Sequence, residues 1–184
     1  MDLSSPRRIG KSDLFVTPLG FGGGTIGSPD VPTQTSLDTV NAAWTSGVRF
    51  FDTAPWYGLG RSERRLGLAL AGIDDRERYC INTKVGKSLV PEPQRDEGKR
   101  TLSPGGQVRT PRDPITGFRV EFDYTYQRIQ SQHHESLQRL GHSRVDSLTI
   151  HDIDYGYHAP SQIEEHLEEL DSNRGGGATA LHEL

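Results

Sequence analysis

Apolar residues recur at every second position in some stretches of this chain and at every third or fourth in others, and the two patterns alternate. Val48–Asp52, Tyr79–Lys84 and Val145–His151 read as strands. Between them, Leu37, Val40 and Trp44 mark one face of a helix over Thr35–Ser46. Leu66, Ala69 and Leu70 do so for Ser62–Ala71, and Tyr126, Ile129, Leu137 and Leu140 for Tyr124–Leu140. Gly47, Gly72 and Gly141 are natural stops for these helices. The opening reads as a hairpin: Arg7-Arg8-Ile9, a turn at Gly10–Asp13, then a strand from Leu14 to Phe21 ended by Gly22-Gly23-Gly24. Ser161-Gln162-Ile163-Glu164 has capping-box spacing for a short helix to Leu170, and a last helical piece covers Ala178–Leu184. Residues 86–118 are polar and are expected as a long loop.

Strands alternating with helices imply a parallel sheet covered by helices, so the expected class is α/β, in one domain over residues 1–184. The 184 residues carry 21 basic and 25 acidic side chains, net −4, which argues against a phosphate-binding nucleic-acid surface. One cysteine, Cys80, excludes a disulfide framework and a cysteine metal cluster. No window approaches the roughly 20 apolar residues of a membrane span. The N-terminus has no apolar signal stretch, so a cytoplasmic protein is expected, without membrane or nucleic-acid partners.

Three strings place titratable residues at strand ends: Asp52 with Tyr57 close behind, Lys84, and His151. An α/β barrel builds its active site from such strand ends. Pleating puts Asp52 with Phe50 and Val48, Lys84 with Asn82 and Cys80, and His151 with Thr149 and Ser147. If those faces point inward, the polar ends converge at one mouth, and Phe51, Ile81, Tyr79, Leu148 and Ile150 face the helices. A tyrosine is a weak acid near neutral pH, and a lysine ammonium beside it is expected to lower its pKa. A carboxylate would hold that lysine charged, and a histidine could fix a carbonyl oxygen. Asp52, Tyr57, Lys84 and His151 thus suit protonation of a carbonyl oxygen by Tyr57, with His151 stabilising developing charge and a nicotinamide supplying hydride.

At these residues the chain resembles the aldo-keto reductase family. The resemblance rests on Phe51–Gly58, Thr83–Gly86, and Ser136–Gly141 with Ile150-His151-Asp152, in the family's order. Ser62–Gly67 and His151–Asp154 lean towards a group that includes aldose, fucose and pyridoxal dehydrogenases. The resemblance implies a TIM (β/α)8 barrel, of which this chain would supply about four βα units and an N-terminal hairpin. It is therefore expected to be a C-terminally truncated barrel domain. It further implies catalytic Asp52, Tyr57, Lys84 and His151, Gly22, Gly23 and Asp52 beside an NADP or NAD cofactor, and Trp56 facing a sugar or small-aldehyde substrate.

Two other readings compete: an inactive half-barrel with a relict site, and a barrel aldolase using Lys84 as a Schiff-base amine, which a carboxylate partner disfavours. An open parallel sheet also leaves edges through which copies could associate. Gly20–Thr25 superficially matches a dinucleotide glycine loop but lacks a helix directly after it. His133, His134 and His142 are not spaced as a metal site, and none is expected. Glu164, Glu165, Glu168 and Glu169 read as a solvated helix face. Gln132, His133 and Ser147 place polar groups where packing favours apolar ones.

Overall fold

The computed structural model describes residues 5–91, 117–154, 156–171 and 175–184. Strands β1 (Arg7–Arg8) and β2 (Phe15–Val16) form the antiparallel hairpin, with Arg7 opposite Val16. The strand expected from Leu14 to Phe21 is broken in two. Thr17 hydrogen-bonds Leu19 O at 2.8 Å across Pro18, and the chain re-enters a different sheet as β3 (Phe21–Gly22). A single 3-10 turn, Thr25–Gly27, follows it.

The main body then alternates: α1 (Thr33–Thr45), β4 (Phe50–Asp52), α2 (Arg61–Leu70), β5 (Cys80–Val85), β6 (Lys87–Pro91), β7 (Phe118–Phe122), α3 (Tyr126–Leu140), β8 (Ser147–Ile150), α4 (Pro160–Leu170) and α5 (Gly177–Glu183). Strands β3-β4-β5-β8 form one parallel sheet in that order, four strands wide among the described residues. In register, Gly22 lies beside Asp52, Asp52 beside Asn82, Asn82 beside Ser147, and Lys84 beside Thr149. Those residues share the inner face, as the pleat predicts.

The outer face packs on helices. Phe51 and Ile81 are fully buried with Val40 of α1, Leu66 and Leu70 of α2 and Leu140 of α3. Val85, Leu148 and Ile150 pack with Tyr124, Ile129, Leu170 and Ala180. The hairpin closes the other end of the sheet: Cys80 Sγ donates to Phe15 O at 3.4 Å, and Ile9 and Leu14 line a cavity with Phe50 and Ser147.

The segment expected as a loop begins and ends as structure. Its flanks, β6 and β7, pair antiparallel from Lys87 opposite Phe122 to Pro91 opposite Phe118. Residues 92–116 lie outside the described residues. Gln132 explains why the ribbon sits where it does. Its Oε1 accepts from Gly86 N at 2.6 Å, and its Nε2 donates to Ser88 Oγ at 2.8 Å and Asp123 O at 3.1 Å. Both ends of the amide are engaged, so it is a buried latch between α3 and the ribbon rather than a packing flaw. His133 is half-buried, its Nδ1 has no hydrogen-bond partner, and burial pushes its imidazole down.

Two details of α4 also differ. Its N-cap is Ala159 with Pro160 at the first helical position, and Gln162 Oε1 accepts from Ala159 N at 3.0 Å, so the box starts two residues before Ser161. Glu169 turns inward, where Oε2 accepts from Tyr124 N at 3.1 Å and contacts His166 Nδ1 at 3.0 Å, while Glu164, Glu165 and Glu168 are exposed.

Candidate active site

The strand ends expected to converge do so. Lys84 Nζ donates to Asp52 Oδ1 at 2.5 Å and to Thr53 O at 3.1 Å, and it sits 5.2 Å from the Tyr57 ring centroid. Asp52 Oδ1 also accepts from Asn82 Nδ2 at 2.6 Å. Asn82 Oδ1 in turn accepts from Ser147 Oγ at 2.7 Å and Thr149 Oγ1 at 3.1 Å. Ser147 is therefore the far end of a polar ladder across the inner face. That ladder orients the carboxylate, and the carboxylate holds the ammonium.

Tyr57 is carried by a tight loop between β4 and α2. Gly60 N donates to Pro55 O at 2.7 Å, Ser62 N donates to Tyr57 O at 3.1 Å, and Gly58, Leu59 and Gly60 all have positive φ. A side chain on Gly58 would lie 1.7 Å from Gly27 O, so only glycine allows the loop to seat against the turn after β3. Arg65 fastens that turn from below, donating to the carbonyls of Ile26 at 2.6 Å, Ser28 at 3.1 Å and Val31 at 2.9 Å. The Thr53 hydroxyl contacts Ser62 Oγ at 2.8 Å, and Ser62 Oγ donates to Gly23 O at 2.7 Å.

His151 follows β8, is 5% exposed, and anchors its backbone N to Val85 O at 2.9 Å. Its ring stands edge-on to Tyr57 with centroids 5.8 Å apart, and 5.8 Å from Trp56. Its Nδ1 is buried without a hydrogen-bond partner. Burial first, then the Lys87 charge, hold the imidazole down at about 4 instead of 6.5. The unfolded chain therefore takes up a proton, as pH falls through that window, that the folded chain refuses, and stability drops with it. A His151→Gln variant is expected to lose part of this pH dependence. Urea midpoints at about pH 7 and about pH 5 measure it; parallel declines in both proteins would refute it.

One expectation is reversed. Tyr57 is not pulled down by Lys84: burial, then Asp52 and Asp152, push the phenol above its ordinary value of 10.0. The reason is pairing. The Lys84 charge is taken up by Asp52, and the tyrosine meets two carboxylates as well as the cation. The site thus holds a neutral phenol, a proton donor rather than a base.

Gly22 and Gly23 differ in kind. A side chain on Gly22 would meet nothing within 4 Å, so the backbone beside Asp52 is uncovered there. Gly23 is a close-approach position: its N donates to Asp52 O at 2.7 Å, and an added carbon would sit 2.7 Å from that oxygen. Lys87, Asp152 and Tyr157 stand beside this cluster and were not anticipated from the sequence. Lys87 is 1% exposed, pairs with Asp152, and lies 3.2 Å from the Trp56 ring centroid and 4.0 Å from that of Tyr157. The signal available was a second lysine three residues after Lys84, followed within two residues by the apolar pair Leu89-Val90.

A profile of the aldo/keto reductase family matches residues 18–178. The chain belongs to this family. It is 38% identical to pyridoxal 4-dehydrogenase of Microbacterium luteolum over 98% of this chain and 52% of that protein. It is 36% identical to D-threo-aldose 1-dehydrogenase of a Pseudomonas species over 76% of this chain and 41% of that protein. An aldo-keto reductase from Bacillus halodurans, solved in its holo form, superposes with a TM-score of 0.58 at 25% identity, over 92% of this chain and 47% of that one. The chain spans about half the length of the curated relatives it matches. Its parallel sheet and covering helices correspond to about half of the family's TIM barrel. Among the described residues no helix is long and apolar enough to cross a membrane, and no cluster of His, Cys, Asp and Glu forms a metal site.

Proposed function

We propose that this protein is a nicotinamide-dependent oxidoreductase that interconverts a carbonyl and an alcohol on a sugar or small aldehyde. The observation that carries this reading is the convergence of Tyr57, Lys84, Asp52 and His151 from the ends of three strands, β4, β5 and β8. NAD or NADP would supply hydride to the carbonyl carbon. Gly22 leaves room for its flat ring beside Asp52, and Gly23 keeps the strand close enough for that.

In the reducing direction Tyr57 gives its phenolic proton to the carbonyl oxygen as the carbon gains two electrons. The Lys84 ammonium stabilises the phenolate left behind. Asp52 keeps Lys84 charged and aimed, and Asn82 aims Asp52. His151, neutral and nearly buried, hydrogen-bonds the carbonyl oxygen and fixes it over Tyr57. Trp56 forms a wall of the substrate pocket. The names of the two dehydrogenases above favour aldoses and aromatic aldehydes.

The test follows nicotinamide absorbance with panels of aldoses, pyridoxal and short aldehydes, in both directions and with both cofactors. Turnover with at least one pair is expected. A folded protein that neither binds nicotinamide nor turns over any of these substrates would refute the reading and favour a relict half-barrel.

A further inference from the structure

Lys87 opens β6 at the rim of the site and is almost wholly buried. A buried ammonium needs a charge partner. Lys87 has one in Asp152, the residue after His151, and two aromatic faces, Trp56 and Tyr157, around it. Asp152 holds a left-handed backbone conformation, φ 51°, which presents its carboxylate at this point. The oxygen that Lys87 takes, Oδ2, also lies 3.4 Å from His151 Nε2. An ammonium and an imidazole thus compete for one carboxylate oxygen.

We propose that Lys87 is a positioning residue for His151: set against the Trp56 and Tyr157 rings, its ammonium takes the closer hold on Asp152 Oδ2 and leaves the imidazole only a 3.4 Å contact with that oxygen. This rests on the reading of His151 as the group that orients the carbonyl.

The physical consequence is a fixed protonation state. A histidine beside an unclaimed carboxylate takes up a proton and pairs with it. With Lys87 in place the carboxylate is already neutralised, and a proton on His151 would face a cation. Burial first, and then this arrangement, keep the ring neutral, with one N–H to donate and one nitrogen to accept. The charged and titratable groups around His151 are Lys87 from β6, Asp152 beside it, Lys84 from β5, Asp52 from β4 and Tyr57 from the loop after β4. Lys84 is committed to Asp52, so Lys87 is the cation that shares its partner with the imidazole. Burial holds Lys87 itself down to about 8 despite its pairing with Asp152.

The test is an NMR titration of the His151 ring in the full protein. In Lys87→Met the midpoint is expected to rise by about one pH unit or more, because Asp152 is unmasked. Lys87→Arg, which keeps the charge, should hold it low. Lys87→Met/Asp152→Asn should bring it back down, a reversal that general loosening of the pocket would not give. In turnover, the acid limb of the kcat/KM profile should move up with the midpoint in Lys87→Met. An unchanged midpoint in folded Lys87→Met, or a rise that persists in the double variant, overturns the proposal. Should Lys87→Met fail to fold, Asp152→Asn carries the test: the midpoint stays at or below that of the parent, and a rise overturns the proposal. The titration needs no turnover, so it stands or falls apart from the oxidoreductase reading.

Discussion

Tyr57→Phe is expected to abolish nicotinamide-linked turnover, by about a hundred- to ten-thousand-fold in kcat, with the fold and nicotinamide binding retained. The substitution removes one oxygen. The loop that carries residue 57 is held by its backbone, through Ser62 N to Tyr57 O and Gly60 N to Pro55 O, so the ring stays in place. What disappears is the proton that must reach the carbonyl oxygen as hydride reaches its carbon. The effect should fall on kcat more than on KM, since the phenol acts on charge that develops in the transition state. Steady-state kinetics together with nicotinamide titration by fluorescence measure both. A Tyr57→Phe protein within about tenfold of the parent kcat would remove Tyr57 from the chemistry and leave the reaction unassigned.

Arg139→Met is expected to cost about 3–5 kcal/mol of stability, the largest loss from a side chain that touches no reacting group. Glu63 of α2 is fully buried. Its Oε2 accepts from Arg139 Nε at 2.5 Å and its Oε1 from Thr83 Oγ1 at 2.8 Å. Three elements, α2, α3 and β5, therefore meet at one carboxylate. Removing the guanidinium leaves a buried charge with a single hydroxyl donor, and the desolvation of that charge is no longer offset. Thr83 is the neighbour of Lys84, so the cooperative unit that melts includes the site. Glu63→Leu/Arg139→Met removes both charges and should recover much of the loss. Urea denaturation with a two-state fit checks both variants. If Arg139→Met lost less than about 1 kcal/mol, the pair would be behaving as an exposed one.

The parts of this protein legible from sequence are those fixed by local periodicity. Phe50 and Asp52 alternate with Phe51, and Asn82 and Lys84 with Ile81 and Thr83, so pleating alone assigned inner and outer faces, and the register agrees. The convergence of Asp52, Lys84, Tyr57 and His151 followed, because a titratable residue that ends an apolar strand stands at the face where an α/β barrel gathers its strand ends. The ribbon of β6 and β7 was not legible. Its strands are separated by more than twenty residues, and Lys87-Ser88 looks like a polar exit from β5. Nothing nearby in sequence announces that Gln132, on helix α3, will pair with Gly86 and Ser88. For the same reason Gln132 and Ser147 looked misplaced: a polar group is a flaw or a latch according to partners that lie far along the chain.

The alternation of β4, β5 and β8 with their helices, and the inner face that carries Asp52, Lys84 and His151, were written in the sequence, because pleat and helical period are local properties of the chain. Tertiary structure decided how those groups are charged. Burial and the carboxylates of Asp52 and Asp152 raised the Tyr57 phenol where a neighbouring lysine alone would have lowered it, and a lysine from β6 came to share Asp152 Oδ2 with His151. Coulomb forces and desolvation depend on distance through space, and only the folded chain sets those distances.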